Sequence, residues 1–339
     1  MGQRPISKVL NVAQQTSIGL ALTGAHRRTS PAVSLRSLLR ATAAAERAGL
    51  DSLWIGDHVS APDEAWFSNI PTLAALAAHS SHLQLGAIVI APLANPVRLA
   101  NELATVDVLS RGRLAACFVA GWRRDEFAMF GVPFEERTRL TFETYGQVQT
   151  LWHGQRIVKG GVAPGCVAPQ HEIDCWIGGS GQKCAVEAAR RGIGYLQSSH
   201  VDLATVERRS RDYLGQLPGG YSPRLGLLRQ SYVAGTDEKA WATAKPVLGD
   251  YYATYRAWGL GSEAGLAHAD GVSDGGSRFV IGSPENVARQ LHAVTRTTGV
   301  SHFICRMGWP GLSDEDLERS ISLIGSVVLP MLRQLGQAQ

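Results

Sequence analysis

Two hydrophobic periods alternate along the chain. Short, nearly unbroken apolar runs of strand length recur at Ser17–Leu22 (SIGLAL), Asp51–Ile55, Leu83–Ile90, Leu114–Ala120, Cys175–Ile177, Gly194–Ser198, Arg224–Ala234 and Ser301–Arg306. Between them lie segments whose apolar residues return every three to four positions, as an amphipathic helix requires. In the first of these, Ser34 offers a cap, Leu35, Leu38, Leu39, Thr42 and Ala45 share one face, and Gly49 supplies the stop. Further helices are predicted over 71–80, 96–109, 125–129, 135–152, 182–191, 203–214, 237–258, from 283 onward and over 314–335, with Pro246 expected to kink the one that contains it. Strands without polar alternation, each followed by a helix, imply a parallel sheet covered by helices. Eight such units predict a closed (β/α)8 TIM barrel in a single domain spanning 1–339; an open doubly wound sheet is the alternative. Residues 1–16, 153–174 and 259–277 fit neither period. They are expected to form an N-terminal extension and two insertion loops at the C-terminal face of the barrel.

Composition narrows the partners. The chain has 339 residues, 45% hydrophobic and 18% charged, with 33 basic and 29 acidic side chains for a net charge of +4. No Lys/Arg run concentrates that surplus, so no nucleic-acid partner is expected, whereas a small anionic ligand is compatible with it. The five cysteines are odd in number and form no C-x-x-C pair, which argues against a disulfide framework or a zinc knuckle and for a reducing compartment. The longest apolar run, Leu85–Ala94, is too short to cross a membrane and contains Pro92, and no basic-plus-apolar leader opens the chain. The expectation is a cytoplasmic protein with no membrane partner.

Active sites of such barrels lie at the carboxyl ends of the strands. That rule selects Asp57 and His58, Ile90 and Ala91, Gly121 and Trp122, Gly178–Gly181, Ser198 to His200, and Met307 to Trp309. Few carboxylates converge there, and no metal cage is expected. His58, beside an acid, is the best titratable candidate for hydrogen-bonding a substrate or passing a proton. The plain alternative is that Asp57 and His58 pair and cap the next segment. Gly178-Gly179-Ser180-Gly181 opens a helix, so its amides and dipole favour an anion; the alternative is a tight turn that binds nothing. Trp54, Trp66, Trp122 and Trp309 either wall a cavity for a flat substrate or pack the core. Asp125 and Glu126 read as first-turn acids, favoured there by the helix dipole, with a catalytic role as the lesser alternative.

The segments AERAGLDSLWIGDHV, LQLGAIVIAPLANPVRLANELATVDVLSRGRL, AGWRRDEFAMFGVPFEER, CWIGGSGQKCAVEAARRG and FVIGSPENVARQL, in this order, resemble the luciferase-like flavin-dependent oxidoreductases of the bacterial luciferase superfamily. The resemblance implies a TIM barrel, usually a homodimer, that binds reduced FMN or the deazaflavin coenzyme F420. It places the ring platform at Ile88 and Val89, often a bulge with a cis non-proline peptide in the family. Ala120 and Gly121 would flank the ring, Gly178, Gly179, Ser180 and Gly181 would hold the phosphate, and Ser198 and Ser199 would lie near the ring or its ribityl chain. The Asp57-His58 pair is similar to that of deazaflavin members, with His58 and Asp57 as the catalytic pair. In the sugar-phosphate dehydrogenase branch a glutamate stands where this chain has Trp122, which speaks against that specific activity. The resemblance therefore implies F420-dependent hydride transfer to or from a small organic substrate. An FMNH2-dependent monooxygenase using molecular oxygen, supplied by a separate reductase, is the second reading, and a non-catalytic flavin-binding barrel the third.

Overall fold

The computed structural model describes residues 16–27, 31–59, 64–157, 172–179, 181–260 and 278–337. Ser180 and most of the three segments expected as extension and insertions lie outside them. The described strands are β1 (Ser17–Leu22), β2 (Ala25–Arg27), β3 (Ser52–Ile55), β4 (Glu64–Trp66), β5 (Gln84–Ile90), β6 (Leu114–Val119), β7 (Asp174–Gly178), β8 (Gly194–Gln197), β9 (Leu225–Val233), β10 (Phe279–Gly282) and β11 (His302–Arg306). The helices are α1 (Pro31–Arg47), α2 (Asn69–Ala77), α3 (Pro96–Leu109), α4 (Arg124–Phe130), α5 (Arg137–Trp152), α6 (Gln182–Arg190), α7 (Leu203–Gln216), α8 (Asp237–Ala257), α9 (Pro284–Thr298), α10 (Asp314–Leu323) and α11 (Leu329–Gln337).

Eight strands close a parallel ring in the order β1, β3, β5, β6, β7, β8, β9, β11 and back to β1. This is the (β/α)8 barrel predicted from the two periods. Side chains alternate along each strand. One set, with Leu53, Leu85, Ala87, Val89 and Phe118, packs outward against the helices. The other set forms a smaller cluster inside the ring: Ala21, Trp54, Ala115, Cys117, Trp176, Leu196, Leu228 and Ile304, with Ile88 and Val119 packed against it. Trp54 and Trp176 meet edge to face at 6.1 Å and fill the barrel centre. Glycines on neighbouring strands make room for them. A Cβ on Gly86 would stand 2.0 Å from the Trp54 ring, and one on Gly194 2.6 Å from Trp176. Both indoles are satisfied, Trp54 by Ser52 Oγ and Trp176 by Asp174 Oδ2, each at 2.9 Å. The two rings therefore fill the barrel centre below its carboxyl mouth.

The structure differs from the sequence reading in three places. β2 and β4 form an antiparallel ribbon (Ala25 opposite Trp66) that was not expected, because three-residue strands carry too little pattern. β10 pairs with the end of β9 beyond the ring. As expected, α8 continues through Pro246, whose exposed position leaves the freed carbonyl of Ala242 to water. The C-terminal helix is interrupted by a π turn at Ile324–Val328, where Gly325 admits the Ala48 backbone: a Cβ there would stand 2.3 Å from the Ala48 carbonyl oxygen. In addition, every peptide bond among the described residues is trans, and β5 is regular through Ile88 and Val89. The expected cis bulge is absent; instead Asn69 Nδ2 donates to the Ile88 carbonyl at 2.6 Å.

Candidate active site

β3 delivers Gly56, Asp57 and His58 to the mouth, and the two polar residues turn to different partners. Asp57 Oδ2 accepts the backbone N–H of Ile90 at 3.2 Å, tying the end of β3 to the end of β5. Burial pushes its carboxyl above the usual aspartate range; the Ile90 amide and the nearby His58 only partly oppose this, and the Glu126 charge adds to it. His58 does not pair with Asp57. Its Nδ1 lies 3.1 and 3.2 Å from the two carboxylate oxygens of Glu126. Glu126 Oε1 also accepts the N–H of Val59 at 2.9 Å, and Arg123 Nη1 stands 3.7 Å away. Burial would raise the Glu126 pKa, but the His58 bond and charge, the Val59 N–H and the Arg123 charge outweigh it, so the group is held below the usual glutamate value. An ionised Glu126 can only accept, so a neutral His58 carries its proton on Nδ1 and leaves Nε2 for a ligand.

Glu126 is the residue that the sequence reading set aside. Its place in the first turn of α4 suits the helix dipole, which was reason enough for an acid there. Yet the side chain is turned inward and is 1% exposed. Arg123, equally buried, pairs with Asp125 and lies over the Trp258 ring at 4.8 Å.

Aromatic rings enclose His58. Trp66 stands at 4.8 Å, Trp122 at 5.9 Å, Trp258 at 6.1 Å and Tyr255 at 6.4 Å, all edge-on. Trp66 is placed by the β2–β4 ribbon, and its buried Nε1 has no hydrogen-bond partner. Trp122 stacks on Tyr255 at 5.8 Å. Tyr255 belongs to α8, whose Tyr251, Tyr252 and Tyr255 present rings across the mouth toward His200 as well. Arg306, at the end of β11, donates to the Tyr255 hydroxyl at 3.0 Å.

The four tryptophans expected to wall a pocket are divided. Trp66 and Trp122 border His58. Trp54 lies one layer below, 1% exposed in the barrel centre, and Trp309 is tied by its indole N–H to Gln230 Oε1 at 2.6 Å and packs on Tyr232. Of the residues assigned to a coenzyme, Ile88 faces inward and keeps some exposure, whereas Val89 points outward into the core, so only its backbone can border a ring. Gly121 turns the chain at φ 73°, and a Cβ there would stand 2.8 Å from Ile90 Cγ2. Gly178 faces Val119 and Cys117, where a Cβ would approach to 2.7 and 3.0 Å. Gly181 caps α6 without a side-chain bond, and Tyr195 donates to the Gly179 carbonyl at 2.9 Å. Ser198 is half-buried beside the mouth, while Ser199 is fully buried with an unpartnered hydroxyl. Ser180 lies outside the described residues. Among those residues no three metal-ligating side chains gather, and no helix is long and apolar enough to cross a membrane.

Comparison with known proteins places the fold among oxidoreductases. The monooxygenase RslO1 of Streptomyces bottropensis superposes with a TM-score of 0.80 at 19% identity, over 93% of this chain and 99% of that one. An F420-dependent secondary alcohol dehydrogenase superposes at 0.72 and 18% identity, over 94% and 99%. Among curated proteins, the chain is 29% identical to the F420-dependent glucose-6-phosphate dehydrogenase of Beutenbergia cavernae over 48% of its own length, a match that spans only 53% of that enzyme. It is 23% identical to the FMNH2-dependent dimethylsulfone monooxygenase of Pseudomonas fluorescens over 77% of its length and 76% of the relative. The model of the luciferase-like monooxygenase family matches residues 16–302. A barrel whose strand ends carry this aromatic-walled histidine, matched over most of its length by that family's model, belongs to the luciferase-like monooxygenases.

Proposed function

We propose that the chain is an F420-dependent oxidoreductase that exchanges a hydride with a small organic substrate, with His58 as the proton partner. One observation carries the reading. Ile88 and Val119 point into the barrel yet keep contact with solvent above the buried tryptophan layer, so a cup lies open at the mouth beside His58. Its walls are small: Ser198 follows β8, and the backbone at Gly121 and Gly178 packs too closely for a side chain, since a Cβ would run into Ile90 and Phe127 at the first and Val119 and Cys117 at the second. The uncapped first turn of α6 after Gly181 offers its amides to a phosphate. These features fit a planar coenzyme with an anionic tail. In this reading Ile88 and the Val89 backbone support the ring, Ala120 and Gly121 flank it, Gly178 to Gly181 hold the phosphate, and Ser198 and Ser199 border the ribityl chain.

When bound, the coenzyme supplies the hydride chemistry. The chain's own residues position and protect. Asp57 fixes the Ile90 amide and with it the upper end of β5. Glu126 holds the His58 ring and its Nδ1 proton, so that Nε2 gives or takes a proton at the reacting substrate atom. Trp66, Trp122, Tyr255 and Trp258 exclude water around that nitrogen. The same reading carries a homodimer in the cytoplasm.

Titration of the purified chain with F420 and with FMN, followed by tryptophan fluorescence, tests it. Saturable F420 binding with turnover on an alcohol or enone panel is the expected result; tight FMN binding with no F420 affinity would sink it. That second outcome is the FMNH2-dependent monooxygenase reading, fed by a separate reductase, and it is supported by the match that spans 76% of the sulfone monooxygenase.

A further inference from the structure

The end of β11 brings a cation to the mouth that the proton chemistry above does not use. Ile304 lies in the interior cluster, so Arg306, two residues on, also faces inward, level with Gln230 and Ala21 on the neighbouring strands. Its guanidinium donates to the Tyr255 hydroxyl at 3.0 Å and lies 5.4 and 5.8 Å from the Tyr251 and Tyr255 rings. These partners are neutral; no carboxylate of the described residues pairs with it. Beside it sits His200, 8% exposed, stacked along Tyr251 at 6.5 Å and tilted to Tyr255 at 5.5 Å, with its Nδ1 unpartnered. Burial and the positive charges of Arg306, Arg278 and Arg229 hold that imidazole well below its ordinary pKa. It stays neutral and adds no positive charge of its own, leaving its Nδ1 with a hydrogen bond to make.

We propose that Arg306 is an oxyanion-recognising residue of the site, binding a carboxylate or phosphate of the small molecule held in the cup, with His200 beside it as a neutral hydrogen-bonding partner. This rests on the reading of the cup as the ligand site. It is separate from the glycine turn: Gly178 ends β7, and β8 and β9 stand between β7 and β11 in the ring. A guanidinium over aromatic rings keeps its planar fork open to a second, bidentate partner. The oxyanion has two possible sources, the substrate or the coenzyme tail, and the test tells them apart.

The full-length chain and its Arg306→Met and Arg306→Lys variants are titrated with FMN, with riboflavin (which lacks the phosphate), with F420, and with benzoate and phenyl phosphate as anionic probes. A loss of about tenfold or more in FMN or F420 affinity in Arg306→Met, with riboflavin binding unchanged, assigns the coenzyme tail. Unchanged coenzyme affinity with the same loss for benzoate or phenyl phosphate assigns the substrate. Partial recovery in Arg306→Lys shows that the charge, not packing, is responsible, and circular dichroism confirms that each variant is folded. Coenzyme binding unchanged, together with probe binding that is absent in the parent or equal in all three proteins, overturns the proposal. Failure of the parent to bind either coenzyme would sink the functional reading alone, because loss of a probe in Arg306→Met would still establish the anion subsite.

Discussion

Replacing Glu126 by Gln isolates the contact on which the chemistry at His58 depends. The side chain keeps its shape and one acceptor oxygen but loses its charge. Its new NH2 group must face His58 Nδ1, the Val59 N–H or Arg123, all of which present donors. Removing one partner of a buried ion pair costs about 3–5 kcal/mol. Here Arg123 keeps Asp125, and His58 can remain uncharged, so a loss of about 2–3 kcal/mol is expected. For a chain of this size that lowers Tm by roughly 3–4 °C. The pH dependence has a definite sign. Glu126 is held below its ordinary value of 4.5 in the fold, so its contribution is complete above that pH and is lost as pH falls through the folded value. The gap between parent and variant is therefore full at neutral pH and closes under acid. The direct readout is the 15N spectrum of His58, which needs no substrate. In the parent, neutral His58 carries its proton on Nδ1; in Glu126→Gln the two tautomers mix, and turnover with F420 falls by about 100-fold. A parent-like His58 spectrum and an unmoved Tm would show that the contact does not orient the ring.

Three further substitutions probe the surroundings. Asp57→Asn removes a carboxyl whose folded pKa is raised by burial, a group whose ionisation costs stability as pH rises from 3.8 through the folded value; Asn can still accept the Ile90 N–H. Urea unfolding should find the variant as stable as the parent or more so at pH 7 and lose that advantage near pH 3, and a less stable variant at pH 7 would contradict the shift. Gly178→Val drives a side chain into Cys117 and into Val119, which borders the cup, and is expected to cost about 1–3 kcal/mol and weaken coenzyme binding about tenfold or more, while Gly181→Ala, with nothing within 4 Å, leaves Tm unchanged; calorimetric titration and melting separate the two. Trp54→Ala should cost about 3–5 kcal/mol in chemical unfolding yet leave coenzyme affinity within about twofold, and the opposite pattern would return Trp54 to the pocket.

The barrel was legible because each strand is buried on both faces and each helix on one, which writes two distinct periods into the chain. That double burial also hid part of the site. In Leu53–Ile55 no polar residue marks which face looks inward, so Trp54 could not be told from a pocket wall until the register set it over Gly86. Asp57 and His58 were legible from their place at a strand end, but not their partners: Ile90 and Glu126 lie 33 and 68 residues away. Glu126 already had a local explanation at a helix start, and a local explanation conceals a distant one. The aromatic residues of α8 carried a signal that was passed over. Tyr251, Tyr255 and Trp258 recur at helical spacing on one face, a pattern shared by any core-facing helix.

The site is assembled by that helix as much as by the barrel. The ring fixes where the strand ends stand, but it does not make them touch; His58, Trp122, His200 and Arg306 stand at the ends of four different strands. Tyr255 is within ring contact or hydrogen-bond distance of every one of them. Aromatic pairs contribute about 0.5–1.5 kcal/mol each beyond burial, so the position of one residue on α8 is set jointly by four walls, and each wall is held by the others through it. A change in the length or composition of the segment after β9 can thus alter the walls around His58 without altering the barrel, the histidine or its glutamate. Under the proposed function, room for the site to vary therefore falls to α8 and the strand-end residues it covers, because two tryptophans fill the inner layers of the barrel.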